Sequence, residues 1–275
     1  ELGVAGDDPR RVEAGILFEL NYNLLAGHSF LPEEKLIPAP CQLLSVEGES
    51  VRQGLERLLE ADRLVRQQLA GITVIYLPAL HEAETDCTRI LADFAERTFP
   101  EPSGLDRMIR SIAKESGIAY SQQQEQAIRE AAVSGLLLIT GGPGTGKTTI
   151  LNGVLELLGR MQLKCLLAAP TGRAAKRLTE VTGDEASTIH RLLEATIDPN
   201  TGKMFFVRDE DSPLKCDAVI VDEMSMVDVQ LLHSLLKAVP AGKRLILVGD
   251  PDQLPPVGPG FPFSDMLRSG KLPTV

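Results

Sequence analysis

Cysteine is scarce. The four in 275 residues, Cys41, Cys87, Cys165 and Cys216, stand far apart with no paired spacing, so neither a zinc site nor a disulfide framework is indicated and a reducing cytosol suits the chain. No apolar run approaches the roughly 20 residues that cross a membrane, no charged-then-apolar leader opens the chain, and no internal repeat or low-complexity tract interrupts it. Positive charge is short as well. A net charge of −10 is the wrong sign for holding nucleic acid by bulk electrostatics. The shortage is uneven: up to Gly117 there are 20 acidic and 12 basic residues, net −8, and beyond it 18 and 16, net −2. A polyanion would therefore bind the second part, through a local basic stretch.

What remains, 43% hydrophobic and 24% charged, is the composition of a soluble globular protein. At roughly 100 to 200 residues per domain the length suggests two domains, or one with an appendage. The chain starts at Glu1 rather than Met and reads as an internal piece of a longer one.

Residues 1–100 read as a mostly helical domain. Ile16, Leu17, Leu20, Leu24 and Leu25 recur at helical spacing behind the start signal Asp7-Asp8-Pro9, with Gly27 as the stop. A second helix is expected from Ser50, with Val51, Leu55, Leu58 and Leu59 on one face. Residues 64–69 and 72–77 flank Ala70-Gly71 as a hairpin, and a third helix is expected over 78–97. The order of helices, hairpin and helix resembles a winged-helix module, whose usual work is binding DNA; a net charge of −8 favours a structural spacer instead. Thr98–Gly104 reads as a linker and 101–120 as linker with a short helix. From 121 to 275 short apolar runs at Leu136–Ile139, Cys165–Ala169, Ala218–Val221 and Leu245–Val248 alternate with helical patterns, the signature of an α/β fold with a parallel sheet.

The first of these strands runs into Gly141-Gly142-Pro143-Gly144-Thr145-Gly146-Lys147-Thr148-Thr149 and then a helix. Gly-x-x-x-x-Gly-Lys-Thr between strand and helix is a phosphate loop: glycines let backbone N–H groups converge on phosphate oxygens and the helix N-terminus favours negative charge. Lys147 would reach the β- and γ-phosphates of ATP, and the Thr148 hydroxyl would ligate Mg2+. Asp222-Glu223 ends the Ala218–Val221 strand, where ligands sit in open α/β sheets. Asp222 would hold the metal through water and Glu223 would act as the base that orients the attacking water. An acidic helix cap is the alternative for this pair.

After the last strand, Gly249-Asp250-Pro251-Asp252-Gln253 offers Gln253 as a reporter of the γ-phosphate, and upstream Gln124 has an amide able both to donate to and accept from an adenine edge. With Ala169-Pro170-Thr171-Gly172-Arg173-Ala174-Ala175-Lys176-Arg177-Leu178 and Ser187-Thr188-Ile189-His190-Arg191-Leu192-Leu193, these blocks make the chain resemble the RecD-like superfamily-one DNA helicases, the group of the exodeoxyribonuclease V alpha chain and its stand-alone relatives. The resemblance covers most of the chain after Ser121. It implies a RecA-like P-loop fold, ATP hydrolysis with Mg2+, and 5′ to 3′ movement on single-stranded DNA in repair or recombination. It also implies that Pro170, Thr171, Arg173, Thr188 and His190 line the strand's path.

Lys164, Arg173, Lys176 and Arg177 form a stretch without an intervening acid, suited to phosphate contacts. Between the His190 block and Ala218, residues 196–207 read as a hairpin around Asp198–Gly202, which the resemblance makes a pin dividing duplex DNA and which on its own is an ordinary surface hairpin. Helicases of this group hydrolyse ATP between two RecA-like domains, and residues 121–275 account for the first. The rivals are an ATP-binding subunit with a mainly structural role in a recombination nuclease complex, and another P-loop ATPase such as a kinase or ring ATPase. A ring ATPase would carry a polar Asn sensor where Gly249–Gln253 stands. Expected partners are single-stranded DNA, duplex junctions and nuclease or recombination subunits, with no membrane.

Overall fold

The computed structural model describes residues 8–275, so Asp7, part of the expected helix start, lies outside the described residues. Contacts divide them into two units. One runs up to Asp86 and takes in Asp228–Gln230 and Pro256–Gly260; the other holds Cys87–Val227, Leu231–Pro255 and Phe261–Val275.

In the first unit α1 (Pro9–Leu24) starts as its sequence dictates: the Asp8 carboxylate accepts from Arg10 N–H, and Pro9 fills the first turn, where a missing donor is harmless. Val12, Ile16 and Leu20 form its buried face. Three elements too short to show a period follow, β1 (Phe30–Pro32), α2 (Glu33–Leu36) and α3 (Pro38–Leu44). Next, α4 (Gly48–Glu60) starts two residues ahead of Ser50 and buries Val51, Leu55 and Leu58. The expected hairpin forms as β2 (Val65–Leu69) and β3 (Ile72–Tyr76), with Ala70 and Gly71 both at positive φ. Strand β1 adds antiparallel to the other edge of β3, giving the order β1-β3-β2, one strand more than the pattern announced. α5 (Pro78–Ala95) follows, and the division between the units falls within it.

The second unit continues with α6 (Leu105–Ser116), α7 (Gln122–Val133), β4 (Leu136–Thr140), α8 (Lys147–Arg160), β5 (Cys165–Ala169), α9 (Gly172–Thr182), β6 (Ala186–Thr188) and α10 (Ile189–Leu192). The hairpin β7 (Ala195–Ile197) and β8 (Met204–Phe206) leads to β9 (Ala218–Val221), a 3₁₀ turn at Met224–Met226, α11 (Val229–Ala238), β10 (Arg244–Gly249) and α12 (Pro262–Ser269). Five strands form one parallel sheet in the order β4-β10-β9-β5-β6, the four expected plus the edge strand β6. All of β9 and β10 is buried, which requires cover on both faces and explains the unbroken apolar runs. Alternate residues Leu137, Ile139, Ile220, Ile246 and Val248 pack with Ile109 and Ile112 of α6, Ile128 of α7 and Leu151, Val154 and Leu158 of α8. The short helix expected near residue 110 is therefore part of the core beneath the parallel sheet.

The Thr98–Gly104 segment is held in place rather than free. Phe99 N–H donates to Val133 O (2.7 Å), Gly135 N–H donates to Arg97 O (2.9 Å), and a Cβ on Gly135 would lie 2.5 Å from Phe94 O, so no other residue fits there. Buried Arg244 donates from Nη2 to Ala132 O (2.8 Å) and lies 3.7 Å above the Phe99 ring, tying the start of β10 to the same segment. Along the outer edge of β4, Leu138 N–H donates to Pro273 O (2.8 Å), Val275 N–H to Leu138 O (2.9 Å) and Thr140 N–H to Val275 O (2.9 Å).

Candidate active site

Because all five strands run parallel, the segments that leave their C-terminal ends gather along one edge. The loop after β4 turns through Gly144 (φ 77°) and Gly146 (φ 93°), left-handed conformations that glycine alone adopts without strain, and α8 begins at Lys147. The Lys147 ammonium donates to Gly141 O and to Gly142 O (3.0 Å), and Thr145 Oγ1 donates to Gly142 O (2.9 Å). Pro143 and Thr148 are exposed, and Thr149 is half-buried.

Gln124 lies against this loop: a Cβ on Gly146 would sit 2.4 Å from its Nε2. Its Oε1, however, accepts from Ser121 N–H (2.9 Å), while Ser121 Oγ accepts from Gln124 N–H, a reciprocal cap at the start of α7. The cap thus occupies one of the two lone pairs of Oε1, and Nε2 lies against the loop.

Asp222 follows β9. Its N–H donates to Ala168 O on β5 (3.0 Å) and its Oδ1 accepts from Glu223 N–H (2.9 Å). Glu223 sits at φ 56°, a left-handed conformation that strains a non-glycine residue, and its side chain makes no capping bond to the 3₁₀ turn that follows. Burial holds the Asp222 carboxyl above the usual carboxylate range, against the Glu223 N–H and the charges of Lys147 and Arg177. Burial also raises Glu223, helped by the Asp222 and Asp250 charges and opposed by Arg177 and Lys147. Strain and desolvation at one pair of acids mark a working site more than a structural one.

After β10, Asp250 is only 2% exposed. Its Oδ1 accepts from Asp252 N–H (3.1 Å) and its Oδ2 from Gln253 Nε2 (3.4 Å), so a buried carboxylate aims the Gln253 amide. Among the described residues no group of three or more His, Cys, Asp or Glu is placed to hold a metal ion. Magnesium here would rest on Thr148, Asp222, water and the phosphates, a sparse oxygen set of the kind this ion favours.

Pro170 and Thr171 leave β5, and Thr188 and His190 lie at the end of β6 beside it, where Ala169 pairs with Thr188. Both threonines cap helices: Thr171 Oγ1 accepts from Ala174 N–H (3.2 Å) and Thr188 Oγ1 from Arg191 N–H (3.1 Å). His190 packs 5.7 Å from the Phe206 ring of the hairpin. Arg173 is exposed in the first turn of α9. The hairpin forms with Ala195 opposite Phe206; the Asp198 carboxylate accepts from Asn200 and Thr201 N–H, and Ile197, Met204 and Phe205 are exposed.

The expected basic stretch does not hold together. Lys164 precedes β5 and Arg173 follows it, so a five-residue strand of about 17 Å separates them. Lys164 N–H instead donates to Asp217 Oδ2 (3.0 Å), and Lys176 pairs with Glu180 (3.9 Å). A cleft of about 710 Å³ lined by Lys164, Lys215, Asp217 and Lys243 lies at that far edge and shares no residue with the phosphate loop.

An AAA domain family matches residues 124–259. The ATP-dependent RecD2 DNA helicase of Deinococcus radiodurans is 36% identical over 283 residues, covering 99% of this chain and 38% of its own length. The RecBCD enzyme subunit RecD of Mycolicibacterium smegmatis is 38% identical over 210 residues, 68% of this chain and 36% of its own. Over nearly its whole length the chain is a homologue of the RecD-like helicases. This RecD-like chain spans well under half the length of the curated relatives it matches. A solved structure of Pif1 helicases at forked double-stranded DNA aligns over 55% of it and 38% of its own chain, at 25% identity and a TM-score of 0.35.

Three features of the RecD-like site escaped sequence reasoning. The buried Asp250 was visible only as an Asp-x-Asp-Gln turn, and Ser225, whose buried hydroxyl has no hydrogen-bond partner among the described residues, stands two residues past Glu223 with no signal of its own. The third is Arg177, grouped in sequence with strand-binding cations but acting electrostatically on both Asp222 and Glu223.

Proposed function

We propose that this chain is the nucleotide-hydrolysing motor part of an ATP-dependent DNA helicase, moving 5′ to 3′ on single-stranded DNA in repair or recombination and working in the cytoplasm. The observation that carries the reading is the convergence of Lys147, Asp222-Glu223 and Gln253 on one edge of the sheet, from the ends of the adjacent strands β4, β9 and β10. Residues 121–275 are the first RecA-like domain in this reading, and 1–100 a helical domain before it.

The backbone from Gly141 to Thr149 would cradle the phosphates, with Lys147 exchanging its two carbonyl acceptors for phosphate oxygens. Thr148 and, through water, Asp222 would hold magnesium, which would supply positive charge against the charge that develops on the phosphates. Glu223 would orient the attacking water, Gln253 would sense the γ-phosphate from its seat on Asp250, and Gln124 would donate to the adenine edge through Nε2. The strand would pass over the ends of β5 and β6, at Pro170, Thr171, Arg173, Thr188 and His190, with the amides of the capped helix starts and Arg173 meeting phosphates. The exposed apolar hairpin beside His190 would meet the duplex junction.

Lys147→Ala in the full-length protein should abolish ATP hydrolysis and unwinding of a 5′-tailed duplex while the circular dichroism spectrum is unchanged; an unaltered turnover number would sink the reading. A second reading, an ATP-binding subunit of a recombination nuclease complex, draws on the similarity to a RecBCD subunit. It predicts stoichiometric ATP binding without DNA-stimulated turnover in the protein alone.

A further inference from the structure

The chain leaves the parallel sheet at the C-terminal end of β6, makes the hairpin β7–β8, and re-enters the sheet at the N-terminal start of β9. The segment from hairpin to β9 therefore leads from the edge of the proposed strand path to the opposite edge. It begins on the root of the hairpin, where Arg208 N–H donates to Leu193 O (3.1 Å) and Arg208 Nη2 pairs with Glu194 Oε1 (2.7 Å). It ends beside β5, where Asp217 N–H donates to Lys164 O (2.8 Å) and Asp217 Oδ2 accepts from Lys164 N–H (3.0 Å). The cleft of about 710 Å³ takes its lining from this segment, from Arg208 to Asp217, and from Lys164 and Lys243.

The charge of this cleft runs against that of the chain. Four cations, Lys164, Arg208, Lys215 and Lys243, line it with two acids, Asp211 and Asp217, a net +2 where the whole chain carries −10. Two of the cations are engaged within the fold, Arg208 by Glu194 and Lys243 by Asp217 (Nζ to Oδ1, 2.8 Å). Those pairs fix the walls. Lys164 and Lys215 are exposed and have no ion-pair partner among the described residues, so two ammoniums stand ready for an anion that carries more than one charge.

The hairpin indicates which anion. An element that parts a duplex leaves one strand on each of its sides. The tracked strand is proposed to run over the C-terminal ends of β5 and β6, and the five residues of β5, about 17 Å, separate that edge from Lys164. The cleft starts at the hairpin root and leads away from the tracked strand. We propose that it binds the sugar-phosphate backbone of the strand displaced from the duplex, with the Lys164 and Lys215 ammoniums meeting its phosphates. The proposal rests on the helicase reading and gives the far edge of the sheet a part in unwinding.

The test uses the full-length protein and three DNAs with a common 5′ tail: a duplex with no second arm, a fork whose displaced strand carries a single-stranded 3′ arm, and the same fork with an uncharged methylphosphonate arm. Wild type should bind the charged fork at least about fivefold more tightly than the armless duplex and lose that preference on the neutral arm. Lys164→Gln combined with Lys215→Gln should remove the preference and lower the salt slope on the charged fork by about 1.4, two single-strand contacts at about 0.7 each. Affinity for the armless duplex and hydrolysis stimulated by oligothymidylate should match wild type. If the double variant melts early in a thermal scan, K215Q alone decides, with a slope lowered by about 0.7 upholding the proposal and an unchanged slope overturning it. A wild type indifferent to the charged arm, or a double variant that keeps the preference, overturns it. An equal loss on fork and armless duplex overturns it by making the cleft a contact of the duplex or the tracked strand. Binding of a polyglutamate peptide that vanishes in the variant while the fork preference stays overturns it in favour of an acidic protein segment. Hydrolysis surviving in K147A would overturn the helicase reading itself, whatever the arm does.

Discussion

Gly146→Ala probes the seam between the phosphate loop and Gln124. Gly146 sits at φ 93° and ψ 20°, and a left-handed backbone strains an alanine by about 1–2 kcal/mol. The added Cβ would also lie 2.4 Å from Gln124 Nε2 and 3.7 Å from its Cδ. The obstructing atom is the far end of a flexible side chain, so Gln124 swings away and gives up the hydrogen bond between its Oε1 and Ser121 N–H, a loss of about 1 kcal/mol. The single substitution should therefore destabilise by about 2–3 kcal/mol. In a Gln124→Ala background only the backbone strain is left, about 1–2 kcal/mol, so the cycle should return a coupling near 1 kcal/mol. Urea unfolding of the four proteins measures this, and affinity for a fluorescent ATP analogue should fall in every variant. Zero coupling would mean that Gln124 does not touch the loop, and a cost below about 0.5 kcal/mol for the single change would refute the strain argument as well.

Glu223→Gln should keep ATP binding while kcat falls by about two orders of magnitude or more, and Asp222→Asn should raise the magnesium concentration needed for half-maximal rate; merely lower stability in both would favour a structural role for the pair. Burial raises the Asp222 carboxyl, so its ionised form weighs against the folded state: stability falls as pH rises from the ordinary carboxylate range through the raised value. Asp222→Asn should accordingly unfold at higher urea than wild type at neutral pH, with the advantage shrinking as pH drops toward about 4. Replacing Asp198 to Phe206 with a short Gly-Ser turn should spare strand-stimulated hydrolysis and abolish unwinding of a 5′-tailed duplex; losing both would make the hairpin structural, and losing neither would put strand separation elsewhere. Burial pushes the Cys165 and Cys216 thiols up to about 11, so at neutral pH both should alkylate with iodoacetamide far more slowly in the folded chain than in urea.

Elements with a strong local cause were legible. The start of α1 follows from Asp8-Pro9, the β2–β3 hairpin from Ala70-Gly71 between apolar runs, and four sheet strands from their unbroken apolar character. Strand β1 and helices α2 and α3 hold three, four and seven residues, too few for a period to emerge, and they are fixed by packing on α1 and β3. Within the site, the phosphate loop announced itself because its glycines and lysine are consecutive. Arg177 did not, because proximity in sequence joined it to Lys164 and Arg173, whereas the sheet puts Lys164 at its far edge. The Ser121-x-x-Gln124 signature of a reciprocal cap was present in the sequence and was outweighed by the interest of a lone glutamine beside a phosphate loop.

The last residues of the chain run alongside β4, the strand that delivers the phosphate loop, and three backbone hydrogen bonds join Leu138 and Thr140 to Pro273 and Val275. Those two segments lie parallel, so tension applied at Val275 along the strand direction would load the bonds together, in shear, instead of peeling them one after another. Such a joint is stiff. In the helicase reading, a load borne by this joint would reach the phosphate loop through a stretch of backbone only a few residues long.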